Sequence, residues 1–201
     1  MKYWTQERVF DHPWNIVANA AYRKYPNPVN ENITGIDVLQ QDLKNGVLQS
    51  ERLLQSHFSI PGWASKLTGF SGTQYSYELS KIDPINRSMH LFTRNLNIVS
   101  MLRVDEKLVY EQHPTDPNKT LLKQEAIVEV NLPALTDYCE KTFMSTYQKN
   151  AEKGPRGLEW VIEQLKREYN DLSSKVSHEF YDLTNVTGLH FPIKERETIF
   201  S

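Results

Sequence analysis

Apolar residues change their spacing twice along this chain. Residues 2–10, KYWTQERVF, read as a short strand. From Trp14 the interval becomes helical, with Trp14, Val17, Ala18, Ala21, Tyr22 and Tyr25 on one stripe. Asp11 stands where an N-cap belongs, and Pro13 falls in the first turn, where a missing N–H costs nothing. Pro26 and Pro28 end the helix, because a residue that precedes proline is pushed out of the helical region. RKYPNP, residues 23–28, is therefore a helix end with its stop signal. Its adjacent cations also suit an anion site.

Between residues 34 and 131 the texture is that of strands: alternating, β-branched and aromatic segments, about six in all. Asn45-Gly46, Asp83-Pro84 and HPTDPNK separate several of them. Asn-Gly between two such runs predicts a hairpin, and the series predicts an antiparallel meander. After Pro133 the helical period returns. Leu158, Val161, Ile162, Leu165, Tyr169 and Leu172 form a stripe; residues 134–152 are helix-compatible upstream of it. Gly154-Pro155 is expected to kink or break this helix. Residues 173–201 are polar and read as an irregular tail behind a domain of residues 1–172. The order predicts an α+β fold, a curved antiparallel sheet covered by one long C-terminal helix. Such layers enclose either a filled core or a cavity.

One segment fits neither layer. In HFSIPGWASKLTGFSG, residues 57–72, the apolar Phe58, Ile60, Trp63, Leu67 and Phe70 are interleaved with helix- and strand-breaking Pro61, Gly62, Gly69 and Gly72. They plug the core, or they form a lid that meets a ligand or a membrane. Trp63 with Lys66 suits an interface, since indole and ammonium both favour the headgroup zone.

Composition narrows the function. The 201 residues carry a net charge of −2, with 39% hydrophobic and 24% charged residues, which leaves no basic footprint for nucleic acid. No apolar run approaches the roughly 20 residues of a membrane span. The opening residues have no apolar signal core, and Glu7 and Asp11 argue against a transit peptide, so the N-terminus is expected to be structural. The single cysteine, Cys139, excludes an internal disulfide and reads as a core thiol. The six histidines are scattered, no metal, nucleophile or phosphate-loop motif is present, and Asp105-Glu106 would point to opposite faces of a strand. No enzyme, metal or cofactor is expected. The cations are more informative. Lys24 closes the first helix, Arg52 sits in the predicted strand SERLLQS, and NAEKGPRG places Asn150, Lys153 and Arg156 near the helix break. They are surface charges, or they turn inward and need an anion such as phosphate, since a buried cation is costly when unpaired.

KYWTQERVFDHPW, RKYPNPVN, GIDVL, SERLLQS, VDEKLVYEQHP, KTLLKQEAIVEV and NAEKGPRGLEWVIEQL occur in an order, over residues 1–170, that resembles the PRELI family, and within it the Slowmo-type branch. The resemblance implies a seven-stranded antiparallel sheet wrapped on a long C-terminal helix around a lipid pocket. It implies a non-enzymatic phospholipid carrier of the mitochondrial intermembrane space, partnered by a small twin-CX9C helical protein and touching anionic membranes peripherally. Phosphatidylserine is the implied cargo; phosphatidic acid, or an adaptor of the same fold that carries no lipid, are the alternatives. By the same resemblance Lys24, Arg52, Asn150 and Lys153 are the headgroup ligands. Phe58, Ile60, Trp63, Lys66, Leu67 and Phe70 belong to the lid. Asn32, Ser56 and Ser59 are neutral where relatives place lysine or histidine nearby, which points away from phosphatidic acid.

Overall fold

The computed structural model describes residues 1–58, 69–131 and 153–187, with Gly62, Ser65, Lys66, Lys141 and Ser145 singly, and side chains as far as Val176. Its strands are β1 (Lys2–Phe10), β2 (Ile33–Lys44), β3 (Val47–His57), β4 (Thr73–Asp83), β5 (Ser88–Asn95), β6 (Leu102–Gln112) and β7 (Thr120–Val130). Two helices are described, α1 (Trp14–Tyr22) and α2 (Lys153–Thr187). All seven strands form one antiparallel sheet in the order β1-β7-β6-β5-β4-β3-β2. β2 to β7 are the meander expected from the sequence. β1 closes on the far end of it, so α1 and its following turn carry the chain from one sheet edge to the other.

Asn45 and Gly46 both take positive φ, 52° and 79°, as a two-residue turn twisted with its strands requires. They set Lys44 opposite Val47. The start of α1 differs from the expectation. Pro13 is its N-cap residue and makes no side-chain cap. The Pro13 carbonyl accepts from Ile16 and Val17 N–H at 3.1 and 3.2 Å. Asp11 instead pairs with Lys119 at 3.0 Å. The helix stops at Tyr22, which leaves Tyr25 beyond it.

α1 is buried on most sides. Trp14, Ile16, Val17, Ala18, Ala20 and Ala21 join the core with Met89, Leu91, Leu108 and Tyr110 of the sheet and Leu158, Val161 and Ile162 of α2. The alanines let α1 lie close to its neighbours. The Trp14 indole N–H donates to the Tyr110 carbonyl at 3.0 Å. Gly154 and Pro155 lie in the first turn of the described α2, where proline is tolerated, and the segment just before Lys153 lies outside the described residues. α2 departs from the sequence reading at its far end, where it runs beyond residue 172 to Thr187. Its apolar stripe leaves the core on the way: Leu165 packs against it, whereas Leu172 and Val176 are exposed. Residues 173–176, at the start of what reads as an irregular tail, are instead an exposed stretch of this helix.

On the other face of the sheet, Arg94 grips Asp105 with Nε at 2.5 Å and Nη2 at 2.9 Å, and Arg103 adds a contact at 3.2 Å. Hydrogen bonding from Arg94 lowers the Asp105 pKa below its ordinary 3.8, against the opposing effect of burial. A lowered folded-state pKa means that the stabilisation is full above the unfolded value and fades as pH falls through the folded one. Asp105→Asn should therefore cost of order 1 kcal/mol at neutral pH, a value discounted for the exposed guanidiniums. Denaturant melts of the two proteins should converge well below pH 3.8.

Candidate functional site

The turn after α1 is built around a single asparagine. The Asn27 amide donates to the Lys24 carbonyl at 2.6 Å, while its Oδ1 accepts from Val29 and Asn30 N–H at 3.0 and 2.9 Å. An asparagine that bonds its own backbone in this way locks a reversal. The local purpose of RKYPNP is thus the expected one, with a consequence: Arg23 is exposed and Lys24 is buried.

Lys24 lines a cavity of about 160 Å³ between this turn, the inner face of β6 and β7, and the start of α2. The wall is apolar at Phe10, Leu108, Leu122 and Leu158, and polar at Lys24, Tyr25, Asn30, Glu106 and Gln124. Lys24 Nζ stands 4.8 Å from the centre of the Tyr25 ring, a cation–π contact. Burial is the largest influence on this ammonium and opposes its charge. Tyr25, Tyr110 and Glu106 together outweigh it, so the pKa is raised. Burial pushes the Tyr110 phenol up to about 12, which keeps it a proton donor at neutral pH.

Two glycines of α2 fit against this turn. A Cβ on Gly154 would sit 3.5 Å from Lys24 Nζ, an ordinary contact. A Cβ on Gly157 would meet Asn27 Nδ2 and Oδ1 at 3.1 Å and Cγ at 3.3 Å, and Asn27 is fully committed. Gly154→Ala should leave the melting temperature within a few degrees. Gly157→Ala should lower it by more, roughly 2–8 °C for about 1–2 kcal/mol of overpacking. Differential scanning calorimetry of the pair decides this, and equal melting temperatures would mean that the Asn27 turn is not tightly seated.

Arg52 departs from its expected role. It is buried and inward, as strand alternation suggested, but its counter-charge is already present. Arg52 Nε donates to Glu78 Oε1 at 2.8 Å, a second guanidinium N–H bonds the same oxygen, and Nη1 donates to the Tyr22 carbonyl at 2.7 Å. The guanidinium also lies 4.6 Å from the centre of the Tyr22 ring. It does not line the cavity. By holding the last residue of α1, Arg52 bears on Lys24 through the backbone. Lys153 is half-buried beside Gly154 and likewise is not among the lining residues. Asn150, Ser59, Cys139 and the lid residues Ile60, Trp63 and Leu67 lie outside the described residues. Of the other lid positions, Phe58 and Phe70 are half-buried and Lys66 is exposed. The loop closes at its base where Phe58 N–H donates to the Gly72 carbonyl at 2.8 Å. Gly72 has φ +96°, and a Cβ there would fall 2.4 Å from the Phe58 carbonyl oxygen.

Glu106, Tyr110, Gln124, Asn30 and Glu78 were missed from sequence. A signal existed for Glu106: in RVDEKLVY it alternates with Val104, Leu108 and Tyr110, the inward set. Glu78 alternates in the same way with Ser76 and Ser80 on β4, all three buried.

The fold is shared with solved structures of low identity. A crystal structure of a Thermus thermophilus protein superposes with a TM-score of 0.56 at 13% identity, covering 82% of this chain and 99% of that one. The Zhui aromatase/cyclase of Streptomyces sp. R1128 gives 0.52 at 12% identity, with 84% and 95% covered. Sequence relatives are nearer. The protein slowmo homolog of Dictyostelium discoideum is 34% identical over 166 residues, 82% of this chain and 72% of that one. Protein UPS2, mitochondrial, of Saccharomyces cerevisiae is 29% identical over 201 residues, 94% of this chain and 87% of that one. The PRELI-like family model matches residues 15–168. With the greater part of its length matched, and an α+β fold of the kind the resemblance implied, the chain belongs to the PRELI-like family.

Proposed function

We propose that this protein carries phospholipid, phosphatidylserine foremost, between mitochondrial membranes across the intermembrane space. The observation that carries the reading is a buried, charged lysine on the wall of a cavity between sheet and helix. Family membership supports a lipid-transfer role, and the name of the yeast relative supports the mitochondrion.

Lys24 takes the lipid phosphate, with the protonated Tyr110 phenol beside it. Lys153 and Asn150, one at the described start of α2 and one just before it in sequence, reach the rest of the head group. Arg52 acts at one remove, by positioning Tyr22. Pockets for drug-sized ligands run to roughly 300–1,000 Å³, so the 160 Å³ here suits a phosphate and not two acyl chains. Chain entry therefore requires the cavity to open, and we assign that opening to the segment 58–70. That segment acts as the lid at an anionic bilayer surface. Burying acyl methylenes at roughly 0.8 kcal/mol each supplies most of the affinity. No bond is made or broken. A small twin-CX9C helical protein completes the carrier as its partner.

Native mass spectrometry of the protein co-expressed with such a partner tests this reading. A phospholipid mass on the complex, together with transfer of fluorescent phosphatidylserine between liposomes, is the expected result. A complex that binds the partner, holds no lipid and moves none would make the protein an adaptor.

A further inference from the structure

The end of the sheet that carries the segment 58–70 presents a second apolar element, the β5–β6 connection. Residues 96–101 read LNIVSM and contain no charged side chain. Leu96 and Val99 are 50% and 42% exposed, although the connection is firmly built. The Asn95 amide donates to the Asn97 and Leu102 carbonyls at 2.9 and 2.8 Å, and its Oδ1 accepts from Val104 N–H at 2.8 Å. The Ile98 carbonyl accepts from Met101 and Leu102 N–H, both at 2.8 Å. Ile98 itself has φ 56°, a left-handed conformation that a β-branched residue enters only at a cost. Glycine would stand there without strain, so isoleucine occupies a position that the backbone alone does not favour.

The connection is tied to the base of the segment 58–70. Asn97 Nδ2 donates to the Thr73 carbonyl at 2.8 Å, and its Oδ1 accepts from Tyr75 N–H at 3.0 Å. Leu96 N–H donates to the Tyr75 carbonyl at 2.8 Å. Thr73 follows Gly72, whose carbonyl closes that segment onto Phe58. Arg94 and Arg103 flank the tip with nearly half of each side chain exposed. Asp105, the carboxylate nearest the tip in sequence, is held by both arginines.

We infer that residues 96–101 are a preformed membrane-docking tip, which sets Leu96, Ile98 and Val99 among lipid head groups and holds the base of the segment 58–70 against the bilayer. The inference rests on the carrier reading above and adds to it a contact surface outside the cavity. The occupant is a lipid surface rather than a polypeptide strand, because the carbonyls of Asn97, Ile98 and Met101 are already taken and the tip offers apolar side chains only. An uncharged tip enters the bilayer boundary without desolvating an ion. Arginines at its margin can keep their stems on apolar surface and their charges at the phosphates.

The test is flotation of the full chain with its helical partner on phosphatidylcholine vesicles, with and without phosphatidylserine. Leu96→Asp combined with Val99→Asp charges two exposed positions and should lower vesicle binding by about tenfold or more. The loss should persist on phosphatidylcholine alone, where repulsion from anionic lipid plays no part. Ile98→Gly relieves the backbone and removes an apolar side chain, so it should melt at or above wild type yet bind vesicles more weakly. Should the aspartate variant fail to fold, Ile98→Gly still decides the matter. Native mass spectrometry should find phospholipid in both variants, since the cavity is untouched. A folded variant that floats like wild type, or a wild type that does not float, overturns the docking tip and leaves the carrier reading intact. Loss of the helical partner from a folded variant assigns the tip to that protein and overturns the inference too. A wild type that floats but neither holds nor moves phospholipid overturns the carrier reading alone.

Discussion

Glu78→Ala should be the most destabilising single change in the described part of the molecule, at about 3–5 kcal/mol. Arg52 and Glu78 are 5% and 6% exposed and share a two-pronged bond. Removing the carboxylate leaves a guanidinium in the interior that, among the described residues, keeps the Tyr22 carbonyl and the Tyr22 ring as partners. For a domain of this size that loss corresponds to roughly 6–20 °C in melting temperature. Arg52→Glu is worse than uninformative, since it buries two carboxylates side by side and would abolish transfer by unfolding. The double variant Arg52→Met with Glu78→Leu separates the roles. A buried ion pair replaced by apolar residues of similar size is often neutral or stabilising, so this protein should melt near wild type. It nevertheless loses the bond to the Tyr22 carbonyl, which fixes the end of α1 and the turn that carries Lys24. Reduced lipid transfer in a stable double variant would establish Arg52 as a positioning residue. Undiminished transfer would mean that the Asn27 turn holds Lys24 unaided.

The division between what was legible in the sequence and what was not has physical causes. Asn45-Gly46 specifies a turn type that few other pairs adopt, and it fixed the β2–β3 register. The meander was readable because its other connections are short or marked by proline. The β3–β4 register was hidden, because residues 58–72 join those strands by a long segment that imposes none. With the register unknown, Glu78 could not be placed opposite Arg52, and the buried arginine looked as though it wanted a ligand. Lys24 was legible because Pro26, Asn27 and Pro28 force the reversal that turns it inward. The length of α2 was not, because sequence periodicity detects burial on one side, and residues 171–176 have no buried side.

Lys24→Met should abolish carriage while leaving the fold in place. Methionine fills nearly the same volume beside Tyr25, and the desolvation cost it relieves offsets part of the favourable interactions with Tyr25, Tyr110 and Glu106 that the charge loses. The melting temperature should stay within a few degrees, with the loosened Glu106 as the main cost. Function should suffer far more. A hydrogen bond from an ammonium to a phosphate is worth about 1.5–3 kcal/mol, or roughly 10- to 150-fold in affinity. Lys24→Arg should restore part of this, since it keeps the positive charge but not the shape of the ammonium. The pH dependence follows from the sign of the shift. The folded-state pKa is raised, so the ammonium is charged at every pH below its ordinary 10.5 and loses its proton only above that. Transfer that depends on Lys24 should therefore be level across the neutral range. A fall in transfer between neutral pH and about pH 9 would locate the phosphate contact on a group of lower pKa than an ordinary lysine, and a fully active Lys24→Met would remove this cavity from the mechanism.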